Sequence, residues 1–93
     1  MIQGFADSDT ERYFQTGKCP SKWQAVERPL ARKLVMLDAA TSLEVLRSPP
    51  GNRLEALKAD KAGQFSIRVN DRWRVCFVWT EGGPDKVQVV DYH

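Results

Sequence analysis

A chain of 93 residues with 42% hydrophobic and 28% charged content has room for one packed domain over residues 1–93. It excludes a disordered segment, and no apolar run is long enough to span a bilayer. The formal net charge is +2; two cysteines without metal-ligand spacing and a single histidine exclude a zinc site, so Cys19 and Cys76 read as reduced thiols of a cytoplasmic protein.

Met1 to Phe14 carries acids and no apolar run, so no targeting segment is expected there. Ile2 to Phe5 reads as a short entry strand. Asp7, Ser8 and Asp9 offer N-caps for a helix over about Thr10 to Gln15, which Gly17 closes in the left-handed conformation. Val26, Leu30, Leu34 and Leu37 then line one helical face within Trp23 to Ala40. Pro29 lacks an amide proton and is tolerated only in a first turn, so the regular helix should start near it, with Ser21 to Arg28 as an irregular or short helical lead-in. Arg28, Arg32 and Lys33 fall largely off the apolar line and read as an exposed or partner-contacting face. Pro49-Pro50-Gly51-Asn52 interrupts regular structure.

From Arg53 the period becomes two. Phe65, Ile67 and Val69 form one apolar row; Trp73, Val75, Phe77 and Trp79 form the next. After a Glu81-Gly82-Gly83-Pro84-Asp85 turn, Lys86 to Tyr92 is again strand-like. Trp23, Trp73 and Trp79 read as core. A three-residue loop, Asn70-Asp71-Arg72, pairs Val69 with Trp73, Ile67 with Val75 and Phe65 with Phe77, which sends both apolar rows to one face. A two-residue loop would send half of them to the wrong side. The chosen register sets Arg68 opposite Arg74 on the other face. Like charges in register are unfavourable unless solvent screens them or an anion sits between, and two guanidinium forks suit a phosphate.

Charge is uneven along the chain. Residues 47–74 hold seven Lys or Arg against three Asp or Glu, whereas residues 1–46 balance and residues 75–93 are acidic. A localised basic segment is the footprint of a polyanion partner, or of a solvated face. The sole histidine, His93, follows Asp91-Tyr92. Its imidazole, with an ordinary pKa of roughly 6.5, can move a proton near neutrality; alone, it reads more readily as a frayed terminus.

Gly63-Gln64-Phe65-Ser66-Ile67-Arg68-Val69-Asn70-Asp71-Arg72-Trp73-Arg74, together with Asp91-Tyr92-His93, resembles HigB-type toxins of the RelE/ParE superfamily. The resemblance extends over essentially the whole chain, including Lys33 to Thr41 and Pro49 to Leu54. It implies an α+β, RelE-like fold: a short N-terminal strand and two helices packed on one face of a twisted antiparallel sheet. It implies a bacterial, ribosome-dependent mRNA endoribonuclease that needs no metal or other cofactor, in which the 2′-hydroxyl attacks the adjacent phosphate. DNA lacks that nucleophile. Implied partners are a HigA-like helix-turn-helix antitoxin, the ribosome and mRNA, with operator DNA contacted only through the antitoxin and no membrane.

By the same resemblance, His93 is general acid or base, Arg74 stabilises charge on the scissile phosphate, and Lys58 supports it. Tyr92 stacks on or orients the base, or simply caps the core, and Asp91 orients its neighbours. Arg68, from the register argument, and Arg53 contact the RNA backbone. Some HigB toxins carry a second histidine where Glu55 stands; another branch of the superfamily uses a glutamate as base, so Glu55 reads either as base or as a polar strand residue. The alternative function is a ParE-like toxin that binds DNA gyrase without nuclease activity.

Overall fold

The computed structural model describes residues 1–92, so His93 and the role expected of it lie outside the described residues. Helix α1 spans Ser8–Thr16, with Asp7 extended at its N-cap and Asp9 and Glu11 in the first turn, where acids meet the positive end of the helix dipole. Gly17, at φ 77°, turns the chain and donates its N–H to Tyr13 O at 2.9 Å. A 3₁₀ lead-in, Ser21–Val26, breaks at Val26 (φ −120°, ψ 16°), and α2 follows over Glu27–Ala39. Pro29 therefore sits in the first turn of α2, where its missing donor costs nothing.

Leu30, Leu34 and Leu37 of α2 are fully or almost fully buried, each contributing roughly 1.5–3 kcal/mol relative to exposure. They pack with Ile67, Val69, Trp73, Val75, Phe77 and Val87 of the sheet. Trp23 bridges Tyr13 and Trp73 through edge-on contacts at 6.0 and 6.4 Å, and Trp79 packs on the same core. Two 3₁₀ turns, Leu43–Arg47 and Pro50–Asn52, carry the chain to the sheet, with a cis peptide at Ser48–Pro49.

Among the described residues the sheet has four antiparallel strands in the order β1 (Glu55–Ala56), β2 (Gln64–Arg68), β3 (Trp73–Thr80) and β4 (Gly83–Asp91). The β2–β3 register pairs Phe65 with Phe77, Ile67 with Val75 and Arg68 with Arg74, as the apolar alternation requires. Asn70 holds the loop: its Oδ1 accepts from the amides of Arg72 at 2.9 Å and Trp73 at 2.7 Å.

Three features differ from the sequence expectations. The entry segment makes one parallel bridge, Phe5 to Val87, in place of a strand; it is held by Gln3 N–H on Pro84 O and Ile2 N–H on the Asp38 carboxylate. The β3–β4 turn is two residues, because Thr80 pairs directly with Gly83 and β4 begins there. Finally, β4 carries a bulge: Cys76 pairs with Gln88 and Val78 with Asp85, leaving two residues, Lys86 and Val87, opposite Phe77 alone. Lys86 takes a left-handed φ of 51° there. The extra residue flips the alternation, so Pro84 and Val87 are both buried, and it aims Val87 at the entry segment.

Candidate active site

Strand alternation puts Ser66, Arg68, Arg74 and Cys76 on the sheet face opposite the helices. Glu55 of β1 lies opposite Ser66, and Tyr92 follows β4. Arg74 is the centre of this face. Although charged, it is only 7% exposed. Its Nε donates to Ser66 Oγ at 2.8 Å, and one terminal nitrogen donates to Arg53 O at 2.6 Å. The Glu55 carboxylate stands 3.6 Å from the same guanidinium, and the Tyr92 ring lies under it at 5.7 Å.

The Arg53 carbonyl reaches Arg74 from a left-handed residue, φ 45° and ψ 56°, at the end of the Pro50–Asn52 turn. Side chains seldom take that conformation, so the backbone of Arg53 is part of the site whatever its side chain does. Neutral oxygens thus fix the fork, while the one nearby carboxylate among the described residues is more than half exposed and not in hydrogen-bonding contact. A buried cation held by neutral oxygens, with its carboxylate partner half in solvent, is poised to receive an anion.

Tyr92 covers the buried Cys76, and burial raises the pKa of both groups, the thiol and the phenol sharing a contact. Both are therefore neutral at physiological pH, and Cys76 is not a nucleophile here. Asp91 is held by Arg72 at 2.8–2.9 Å, and Tyr92 N–H donates to Arg72 O at 2.5 Å. The hairpin loop thereby fixes the end of β4 against the site.

Of the residues singled out from sequence, the structure gathers Arg74, Glu55, Tyr92 and the backbone of Arg53. Arg68 is in register with Arg74, but its guanidinium engages Asp71 of the loop, so the two forks have separate acceptors. Lys58 is exposed between β1 and the next turn, with no ion pair among the described residues. Ser66 and Arg72 were missed. The facing register was the available signal for Ser66, since it places the hydroxyl beside Arg74; nothing local to Arg72 signals its pairing with Asp91. A mostly apolar cavity of about 240 Å³ between α1 and α2, lined by Tyr13, Phe14, Glu27, Leu34 and Val35, offers no cation for a phosphate.

Two helices on one face of an antiparallel sheet form a fold shared with two solved structures: a YoeB dimer from Staphylococcus aureus, at TM-score 0.57 and 19% identity over 99% of this chain and 94% of that one, and a YoeB/ParE toxin from Agrobacterium tumefaciens, at TM-score 0.53 and 20% identity over 99% and 96%. The family described as "RelE-like toxin of type II toxin-antitoxin system HigB" matches residues 3–93. Toxin HigB-1 of Vibrio cholerae serotype O1 is 42% identical over 86 residues, 88% of this chain and 87% of that protein. An uncharacterized protein of Haemophilus influenzae is 39% identical over 74 residues, 78% and 73% of the two chains. The chain belongs to the HigB-like family of type II toxins, which implies an antitoxin partner. No helix among the described residues is long and apolar enough to cross a membrane.

Proposed function

We propose that this toxin is a metal-independent endoribonuclease that cuts mRNA on the ribosome and is neutralised by a HigA-like helix-turn-helix antitoxin. The observation that carries the reading is the buried Arg74 fork, fixed by Ser66 Oγ and Arg53 O and stacked over the ring of Tyr92. The reaction needs a cation for the phosphate, a base and an acid. Arg74 binds a non-bridging oxygen and stabilises the charge that grows on it, an effect worth roughly 3–4 kcal/mol for a preorganised donor. Glu55 takes the proton of the 2′-hydroxyl; the oxygen attacks the adjacent phosphorus, a cyclic phosphate forms, and the 5′-oxygen leaves with a proton from His93. Lys58 adds charge from the rim, Tyr92 stacks the base, and Asp91 orients Tyr92 through Arg72. Arg53 and Arg68 contact the backbone.

The test is a translation extract supplied with end-labelled mRNA. Wild-type toxin should cut the message only with ribosomes present, and Arg74→Ala or His93→Gln should abolish cutting while leaving the circular dichroism spectrum unchanged. Full activity in both variants would remove the assignment. Intact message together with trapped gyrase–DNA complexes would establish the gyrase-binding alternative instead.

A further inference from the structure

Lys33 of α2 is not the solvated helix lysine that its position off the apolar line suggests. It is half-buried, and its ammonium donates to Asn52 Oδ1 at 2.5 Å. Asn52 is wholly buried, and its orientation is fixed because Nδ2 donates to Leu46 O at 3.0 Å and Ser48 O at 3.3 Å. The acceptor is thus neutral and immobile. Among the described residues Lys33 has no ion pair. Burial, and then the charges of Arg32 and Arg68, push its pKa down. A fold that holds a partly desolvated cation on a neutral acceptor has given up solvation with no counterion among the described residues in return.

The turn that holds Lys33 also holds the candidate active site. Asn52 accepts from Lys33 and the next residue, Arg53, accepts from Arg74 through its carbonyl. Two cations from different elements are therefore fixed to consecutive residues of one turn. The ammonium keeps two of its three donors for another acceptor. We propose that Lys33, fixed by Asn52, binds a phosphate of the RNA backbone outside the scissile linkage and positions the strand for Arg74. The inference rests on the nuclease reading and adds a specific contact to it. A single-stranded nucleic acid fits these groups because its phosphates are acceptors only, and a fixed ammonium offers point charge without base selection.

The experiment measures binding of wild-type, Lys33→Gln and Lys33→Arg toxin to ribosomes programmed with mRNA blocked by 2′-O-methyl groups at the A-site codon, as a function of salt. Lys33→Gln can still donate to Asn52 without the charge. Its affinity should fall severalfold at about 0.1 M salt, and the slope of log Kd against log salt should shrink by about 0.7, the share of one phosphate on a single strand. Lys33→Arg should bind nearly as wild type. Should Lys33→Gln lower the melting temperature, Lys33→Met supplies the same comparison at a temperature where it is folded. An unchanged slope in the neutral variant, whether or not affinity falls, overturns the phosphate contact while leaving the nuclease reading in place. Failure of wild-type toxin to bind programmed ribosomes overturns the nuclease reading itself, and the contact with it.

Discussion

Arg74 donates through Nε to the Ser66 hydroxyl at 2.8 Å, across the β2–β3 pair, so a buried cation is aimed by a neutral side chain. A carboxylate in that place would hold the fork more strongly but would also cancel its charge. The hydroxyl fixes direction and leaves the charge available to a phosphate. The serine is fully buried and opposite Cys76, and its backbone carbonyl also accepts from the fork's terminal nitrogen, at 3.4 Å.

Ser66→Ala should therefore cost about 1–3 kcal/mol of stability, because it leaves a buried charged donor without its partner. Urea unfolding measures that loss. Single-turnover cleavage should fall more than tenfold with little change in substrate binding, since the freed guanidinium can still meet a phosphate but is no longer preorganised. Equal stability and cleavage in the variant would show that the serine does not aim Arg74.

Arg53 separates backbone from side chain. Its φ of 45° suits glycine, and its carbonyl remains in Arg53→Gly to hold Arg74. Thermal unfolding should put Arg53→Gly within about 1 kcal/mol of wild type, the glycine's greater unfolded-state entropy offsetting the relieved strain. Arg53→Pro, locked near φ −65°, should unfold the turn and abolish cleavage.

Gly83 tests the join between the entry segment and β4. It sits at φ 129°, and a Cβ there would lie 2.5 Å from Met1 O. Gly83→Ala should lose about 2–3 kcal/mol in a denaturant titration, from overpacking and backbone strain together. A variant as stable as wild type would mean that the first residues do not pack along β4.

Cys76 reports the Tyr92 cover. Its thiol is wholly buried with a raised pKa, so iodoacetamide should modify it far more slowly than the half-buried Cys19. Tyr92→Ala should speed Cys76 alkylation at least tenfold and Tyr92→Phe should not, as read by peptide mass spectrometry. The same raised pKa sets a pH dependence. Above the ordinary thiol value of 9.0 the unfolded chain releases this proton while the folded chain keeps it, so folding stability falls as pH rises through that window. Cys76→Ala should show a shallower alkaline loss than wild type; matching slopes would place the thiol in solvent.

The hairpin was legible in the sequence because its determinants are local. Two apolar rows of period two leave one loop length that keeps both on the core side, and Asn70 supplies the turn chemistry. The β4 bulge was not legible: its residues are as strand-like as their neighbours, and the extra one is absorbed only because Val87 exchanges backbone hydrogen bonds with Gly4 and Ala6. Lys33 was misread for a related reason. Its spacing places it off the helix's apolar line, but the Pro50–Asn52 turn folds back to cover it.

Periodicity and proline position by themselves determined a helix start near Pro29, the β2–β3 register and the Arg68–Arg74 facing. Each depends on steric or alternation rules acting over a few residues. Tertiary structure alone decided which oxygen holds each cation: Arg53 O for Arg74 across 21 residues, the Asp91 carboxylate for Arg72 and Asn52 Oδ1 for Lys33 across 19 each. A hydrogen bond needs its partners within about 3 Å, and over such separations only the completed packing of turn, helix and sheet sets that distance.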